Sequence, residues 1–97
     1  MQQSDRVISA LIIDDDPGIQ DMVSLAIELN WPKSSVYTAA DGLTGLDLAR
    51  EHTPDVVILD LGLPDIDGLE VCQTLRAESA IPIVMLTARD REIDIVK

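Results

Sequence analysis

Carboxylates and one hydroxyl follow short apolar runs in this chain. Acidic residues stand directly after two of the runs, and a threonine stands after a third. The side chains and the runs before them are Asp14 and Asp15 after residues 10–13, Asp60 after residues 56–59, and Thr87 after residues 83–86. If these runs are parallel strands of one sheet, their carboxyl ends lie along the same edge, and the four side chains converge there.

Carboxylates that converge repel one another, so such a site needs a cation. A site made only of oxygen atoms favours a hard ion such as Mg²⁺, which binds one or two carboxylates and keeps positions open for phosphate oxygens. A carboxylate next to that ion can act as a nucleophile and accept a phosphoryl group. Thr87 could donate a hydrogen bond to a phosphoryl oxygen. The residue types therefore indicate phosphoryl transfer to an aspartate.

Apolar runs alternate with segments of helical spacing along the whole chain. The sequence predicts strands at residues 10–13, 36–39, 56–59 and 83–86, and helices that begin near residues 17, 42, 68 and 90. Strands that alternate with helices predict a parallel sheet with right-handed crossovers. Because the strands are apolar on both faces, helices should cover both faces. The expected fold is a doubly wound α/β domain.

Length and charge limit the function classes. Ninety-seven residues fit a single domain, expected at 1–97 with a short polar lead at 1–6. The net charge of −11 argues against direct nucleic-acid binding by this segment. The chain contains no run of about 18 apolar residues, so the sequence predicts no membrane span. The one cysteine, Cys72, cannot form an intramolecular disulfide, which fits a cytoplasmic location.

Three motifs in register resemble the receiver domains of two-component response regulators. They are residues 12–16, 57–68 and 83–88, and the resemblance extends over essentially the whole chain from Val7. The resemblance implies a flavodoxin-like fold with strand order 2-1-3-4. It also implies that the domain is a switch and not an enzyme. The only reactions that such a switch catalyses are its own phosphorylation and autodephosphorylation.

The resemblance also assigns roles to residues. Asp60 matches the phosphoacceptor and a metal ligand. Asp15 should bind Mg²⁺ directly and Asp14 through water, while the backbone carbonyl of Gly62 should complete the ligands.

Further roles follow from the same resemblance. Thr87 matches the switch hydroxyl, and Ala88 is the small residue that leaves space for the phosphoryl group. Gly62 and Arg89 lie where family members tune the lifetime of the phosphate. The implied partners are a sensor histidine kinase and an output domain outside this chain, often a DNA-binding domain that regulates transcription.

One departure from the family pattern is large. The family has a fifth strand that ends in a lysine and then a fifth helix, whereas this chain stops inside its predicted fourth helix, so the receiver domain is expected to be C-terminally incomplete. Lys97 is not the family's lysine, because it lies in a helical context. The fourth strand would then have a bare edge, which predicts a homodimer or a swapped assembly.

Two alternatives to a signalling switch stay open at this point. A haloacid-dehalogenase-like phosphatase would use Asp14, Asp16 and Thr87, but it leaves the segment after Asp60 unexplained. A non-signalling interaction fragment would use only the bare strand edge.

Several conspicuous side chains have simpler interpretations. Asp16 and Asp67 are expected to cap helices, and Asp65 is expected to face solvent. His52 is expected to be a surface histidine at a helix end. The residues expected to serve in packing are Cys72, Trp31 and Tyr37.

Overall fold

Strands and helices alternate in the part of the chain that the structure describes. The structure is a computed structural model, and it describes residues 7–86 and 93–96. The strands in these ranges are β1 (Ser9–Ile13), β2 (Ser35–Ala39), β3 (Val56–Asp60), β4 (Ile83–Leu86) and β5 (Ile93–Val96). The helices in the same ranges are α1 (Pro17–Asn30), α2 (Gly42–His52) and α3 (Gly68–Glu78).

Each of the three helices in the described ranges begins after an aspartate. The carboxylate of the residue before the helix accepts a hydrogen bond from a backbone N–H of the first turn. The caps and their N–H donors are Asp16 with Gly18, Asp41 with Thr44, and Asp67 with Leu69. A cap of this kind stabilises a helix by about 1 kcal/mol. The predicted caps Asp16 and Asp67 are therefore confirmed.

The strands form one sheet in the order β2-β1-β3-β4-β5. β1 to β4 are mutually parallel, so the predicted parallel sheet in the order 2-1-3-4 is confirmed. Ile13 at the end of β1 pairs with Ala39 and Leu59, and Asp60 at the end of β3 pairs with Leu86. This register brings the carboxyl ends of the strands to one edge of the sheet.

The chain near its end forms a strand, where the sequence predicted a fourth helix. Ile93–Val96 is β5, which pairs with β4 in antiparallel orientation, so the predicted helix is wrong for these residues. The segment has β-branched residues at both helical and alternating spacing, and a free strand edge offers it backbone partners. The bare β4 edge, from which a homodimer or swapped assembly was predicted, is therefore occupied by the chain itself.

Helices cover both faces of the sheet, as predicted. Side chains from β1, β3 and β4 form the larger core cluster together with α2 and α3. Its fully buried members are Leu11, Ile13, Val57, Leu59, Val71 and Ile83. On the other face α1 packs Ile27 against Ala10 and Ile12. Each fully buried aliphatic side chain contributes about 1.5–3 kcal/mol of hydrophobic free energy, and this anchors the strand ends that hold the acidic residues.

Within the described ranges, the helices are too short or too polar to cross a membrane.

Candidate metal centre at the carboxyl edge of the sheet

Three carboxylates meet at the carboxyl edge of the sheet. Asp14, Asp15 and Asp60 each place a carboxylate oxygen within 4.8 Å of the other two. Asp14 is 5% exposed and Asp60 is 8% exposed, whereas Asp15 is open to solvent. The structure thus brings together the three acidic residues that the sequence selected, although Asp60 lies 45 positions or more from the acidic pair.

The end of β1 is fixed by hydrogen bonds from neighbouring elements. The backbone N–H of Asp14 donates to the carbonyl of Ala39 over 3.0 Å, and the Asp14 Oδ1 accepts from the N–H of Asp16 over 2.9 Å. The Nε2 of Gln20 on α1 donates to the carbonyls of Asp14, over 2.6 Å, and Ala39, over 3.2 Å. These bonds set the direction of the Asp14 carboxylate. Gln20 was not selected from the sequence, because its partners are visible only once β1, β2 and α1 meet.

Burial and mutual repulsion act on the ionisation of Asp14. Its pKa is raised above the usual value, first by burial and then by the negative charges of Asp60, Asp15 and Asp16. The hydrogen bond from the backbone N–H of Asp16 opposes this effect by stabilising the carboxylate. The site therefore favours a species that supplies positive charge. A set of clustered oxygen donors with a partly open side fits Mg²⁺, which keeps several waters and an open position for phosphate.

The loop after β3 is folded tightly beside Asp60. The N–H of Gly68 donates to the carbonyl of Leu61 over 3.3 Å and closes this loop, residues 61–67. A Cβ added to Gly68 would lie 2.6 Å from the Cα of Leu61 and 2.7 Å from the carbonyl oxygen of Asp60. Only a residue without a Cβ allows this approach. A Cβ on Gly62 would lie 3.7 Å from the Asp60 Oδ2, which places Gly62 next to the carboxylate.

Asp65 is exposed, as the sequence predicted, but it also has hydrogen-bond partners that the sequence did not indicate. Its carboxylate accepts hydrogen bonds from the N–H groups of Gly42, over 2.8 Å, and Leu43, over 2.9 Å. These two bonds are the main reason that the pKa of Asp65 is lowered. No local sequence signal could have identified this contact, because the partners lie 22 and 23 positions away.

The other conspicuous side chains lie away from the acidic cluster or have structural partners. Cys72 is buried in the core. His52 ends α2 and is partly buried, and its ring stacks on that of Tyr37 with a centroid separation of 3.9 Å. Trp31 follows α1 and packs against the smaller core cluster. The packing interpretation is thus confirmed for Cys72, Trp31 and Tyr37.

Three predicted site residues, Thr87, Ala88 and Arg89, lie outside the described residues. Thr87 directly follows Leu86, the last residue of β4, and Leu86 is the register partner of Asp60. The backbone that leads to Thr87 therefore runs beside the strand that ends in Asp60.

Comparison with known proteins assigns the family. The family model described as the response regulator receiver domain matches residues 10–97. The chain belongs to the response regulator receiver family, the class that its parallel sheet and acidic edge indicate. The resemblance drawn from the three sequence motifs is thereby confirmed.

Two relatives show how much of a longer protein this chain matches. Transcriptional regulatory protein AfsQ1 of Streptomyces coelicolor is 46% identical over 88 residues, which cover 91% of this chain and 38% of that protein. DNA-binding response regulator MtrA of Mycobacterium tuberculosis is 41% identical over 86 residues, which cover 89% of this chain and 37% of that protein. The chain thus spans less than two fifths of the length of these curated relatives.

Solved structures show the same fold. The receiver domain of Francisella response regulator 1452 matches with a TM-score of 0.76 and 28% identity, covering 86% of this chain and 68% of that one. Chemotaxis protein CheY4 of Vibrio cholerae matches with a TM-score of 0.77 and 33% identity, covering 87% and 71% of the two chains. The flavodoxin-like receiver fold expected from the sequence is confirmed.

Proposed function

We propose that this chain is a phosphoacceptor switch that receives a phosphoryl group on Asp60 from a sensor histidine kinase or a small phosphodonor. The observation that carries the proposal is the buried Asp60 carboxylate within 4.8 Å of the carboxylates of Asp14 and Asp15, at the carboxyl edge of a parallel sheet. Membership of the receiver family supports it. In this proposal the chain acts as a signalling switch whose only chemistry is its own phosphorylation and dephosphorylation.

The acidic cluster is the proposed Mg²⁺ site. Asp15 and Asp60 would bind the ion directly, Asp14 would bind through water, and the backbone carbonyl of Gly62 would complete the protein ligands. When bound, Mg²⁺ neutralises charge on the transferring phosphoryl group and on the carboxylates. Burial helps Asp60 because a carboxylate with few water contacts is a better nucleophile toward phosphorus.

The proposed transfer exchanges one bond to phosphorus for another. A carboxylate oxygen of Asp60 forms a bond to phosphorus while the bond between phosphorus and the donor atom breaks. The bonding electron pair leaves with the donor, which is a histidine nitrogen in the kinase, and that nitrogen takes up a proton from water. The product is an aspartyl phosphate.

Residues after β4 are proposed to sense the phosphoryl group. Thr87 would donate a hydrogen bond to a phosphoryl oxygen, and Ala88 would leave space for it. Gly62 and Arg89 would tune the lifetime of the aspartyl phosphate. Phosphorylation would then shift an equilibrium between two conformations and change the surface offered to partners.

The output is proposed to lie outside residues 1–97, which we take as the receiver domain with a polar lead at 1–6. The printed names of the relatives describe a transcriptional regulatory protein and a DNA-binding response regulator. An output domain of that kind fits a chain whose net charge of −11 opposes DNA binding by this segment. A cytoplasmic location stays a prediction. A homodimer or swapped assembly would have to use a surface other than the β4 edge from which it was predicted, because β5 pairs with that edge.

The phosphatase alternative is not favoured. It requires Asp16 as a catalytic acid, but the Asp16 carboxylate accepts the N–H of Gly18 over 2.8 Å and caps α1. It also leaves Asp60 without a role, although Asp60 is the buried partner of Asp14.

Phosphoryl labelling tests the proposal. Incubation with acetyl phosphate and Mg²⁺ should add one phosphoryl group, seen by intact-mass spectrometry, and chelation of Mg²⁺ should abolish the addition. Asp60→Asn should remove the label. The matched control Asp47→Asn removes an exposed aspartate on α2 and should be labelled like the unaltered chain. Undiminished labelling of Asp60→Asn would contradict the proposal, and label mapped to Asp14 would support the phosphatase instead.

A further inference from the structure

We propose that Asp65 is a positioning residue for the metal site: its carboxylate ties loop 61–67 to the first turn of α2 and so holds Gly62, whose carbonyl is the proposed metal ligand, beside Asp60. The inference rests on the proposed function, because it concerns how this chain presents its Mg²⁺ ligands. It gives a role to a residue to which the resemblance assigned none, and this residue acts through the loop, since its carboxylate accepts hydrogen bonds from α2.

The contact joins two elements that are distant in sequence. Asp65 belongs to the loop between β3 and α3, whereas its donors Gly42 and Leu43 open α2. One carboxylate oxygen accepts from each N–H, over 2.8 Å and 2.9 Å. The N-terminus of a helix carries partial positive charge, and hydrogen bonds to an ionised acceptor are the stronger kind. The pair of bonds therefore fixes both the distance and the direction of the loop relative to α2.

Packing reinforces the same junction. The side chain of Ile66 lies so close to Gly42 that an added Cβ there would stand 2.6 Å from the Ile66 Cγ1. At the start of the loop, the backbone of Asp60 and Leu61 packs against Gly68. Gly62 therefore lies between two fixed parts of the loop, Leu61 on one side and Asp65 with Ile66 on the other. Release of Asp65 would remove the side-chain hydrogen bonds that join this loop to α2, while the bonds at the two ends of the loop, made by Leu61 and Asp67, would stay.

Capping of α2 alone does not account for Asp65. The helix already has its own N-cap, Asp41, whose Oδ1 accepts the N–H of Thr44 over 2.7 Å. Asp41 belongs to the chain that leads directly into α2, so its contact ties the helix only to itself. Asp65 is the carboxylate that reaches α2 from the metal-site loop. This difference gives the experiment its control.

The test compares Asp65→Ala with Asp41→Ala in the 97-residue chain. Both variants remove one negative charge and a carboxylate that accepts α2 N–H groups, two N–H groups for Asp65 and one for Asp41, but only Asp65→Ala frees the loop. Titration calorimetry with Mg²⁺ should show a dissociation constant raised about tenfold for Asp65→Ala, the usual scale for removing a group that orients a metal ligand. Asp41→Ala should stay within about twofold of the unaltered chain, since it leaves the loop in place. Asp65→Asn, which keeps one carbonyl acceptor, should recover part of the affinity.

A second readout reports the loop directly. The backbone amide signal of Gly62 in a nitrogen–proton correlation spectrum should shift or broaden in Asp65→Ala and stay in place in Asp41→Ala. Unchanged Mg²⁺ affinity in Asp65→Ala, or an equal loss in Asp41→Ala, overturns the inference. If Asp65→Ala does not fold, Asp65→Asn against Asp41→Asn makes the same comparison. Failure of the unaltered chain to bind Mg²⁺ would instead overturn the proposed function, and the inference with it.

Discussion

At the scale of single residues, the ionised carboxylate of Asp14 is held in surroundings that disfavour its charge. Asp14 is buried beside Asp60 and close to Asp15, and it receives only one backbone N–H at its carboxylate in the described part of the chain. Burial and like charges both favour its protonated form, which is why its pKa is raised. The chain keeps this unfavourable charge where a cation can bind, which is the expected cost of a pre-formed metal site.

The raised pKa gives a pH prediction. The pKa of Asp14 is higher in the folded chain than in the unfolded chain, so ionisation of Asp14 lowers the free energy of unfolding. This loss is absent below the unfolded pKa, grows as the pH rises from the unfolded to the folded pKa, and is complete above the folded pKa. Without Mg²⁺, Asp14→Asn should therefore unfold at higher urea concentration than the unaltered chain at pH 7, with the difference shrinking toward pH 3.

The control for this experiment is Asp47→Asn, an exposed aspartate whose replacement should change the free energy of unfolding by less than about 0.5 kcal/mol. A difference between Asp14→Asn and the unaltered chain that grew as pH fell would contradict the assigned cause.

At the scale of elements, the loop between β3 and α3 depends on close backbone approach. Gly68 begins α3 where its Cα faces the backbone of Asp60 and Leu61, while Gly62 of the same loop has room for a methyl group. No glycine in the described ranges has a positive φ, so the difference between the two positions is one of space rather than of backbone conformation. Two glycines six positions apart thus have different structural requirements.

The glycine pair yields a stability prediction. Gly68→Ala should lower the free energy of unfolding by about 1–3 kcal/mol, because the added methyl group overlaps backbone atoms that can yield only by moving the loop. The better helix propensity of alanine, at most about 1 kcal/mol, acts in the opposite direction and should not compensate fully. Gly62→Ala is the matched control and should change stability by less than about 0.5 kcal/mol. Urea unfolding followed by circular dichroism measures both, and equal stability of the two variants would contradict the packing argument.

At the scale of the whole molecule, acidity dominates. The chain carries 18 acidic and 7 basic side chains, and in the described ranges Asp14, Asp15 and Asp60 form a cluster of carboxylates that could hold a metal ion. A cation that binds only the folded chain must stabilise it by linkage. Folding and metal binding should therefore be coupled in this protein.

The coupling predicts a Mg²⁺-dependent stability. At a free Mg²⁺ concentration of about 100 times the dissociation constant, the free energy of unfolding should rise by about 2.7 kcal/mol. NaCl at equal ionic strength is the control, because it screens the net charge without binding the cluster. Asp60→Asn should lose most of the Mg²⁺ effect and keep the NaCl effect. Equal stabilisation by both salts would mean that screening, not a site, explains the response.

Much of the architecture was predictable because it depends on near neighbours. The caps Asp16 and Asp67 bond N–H groups two residues away, so spacing alone identified them. The apolar runs predicted β1 to β4. Because the carboxyl ends of parallel strands share one edge of the sheet, the sequence also predicted that Asp14, Asp15 and Asp60 lie close together, as the structure shows.

Contacts between elements that are distant in sequence were decided only by the tertiary structure. The segment Ile93–Val96 fits a helix or a strand by its spacing, and pairing with the edge of β4 selects the strand. Helix α1 has apolar residues around much of its surface, and packing buries Ile27 while Met22 stays 61% exposed. Asp65 has no local partner, so its bonds to Gly42 and Leu43 exist only because the β3–α3 loop and α2 fold against each other. Sequence spacing encodes interactions within a few residues, whereas these contacts depend on which surfaces meet once the sheet has formed.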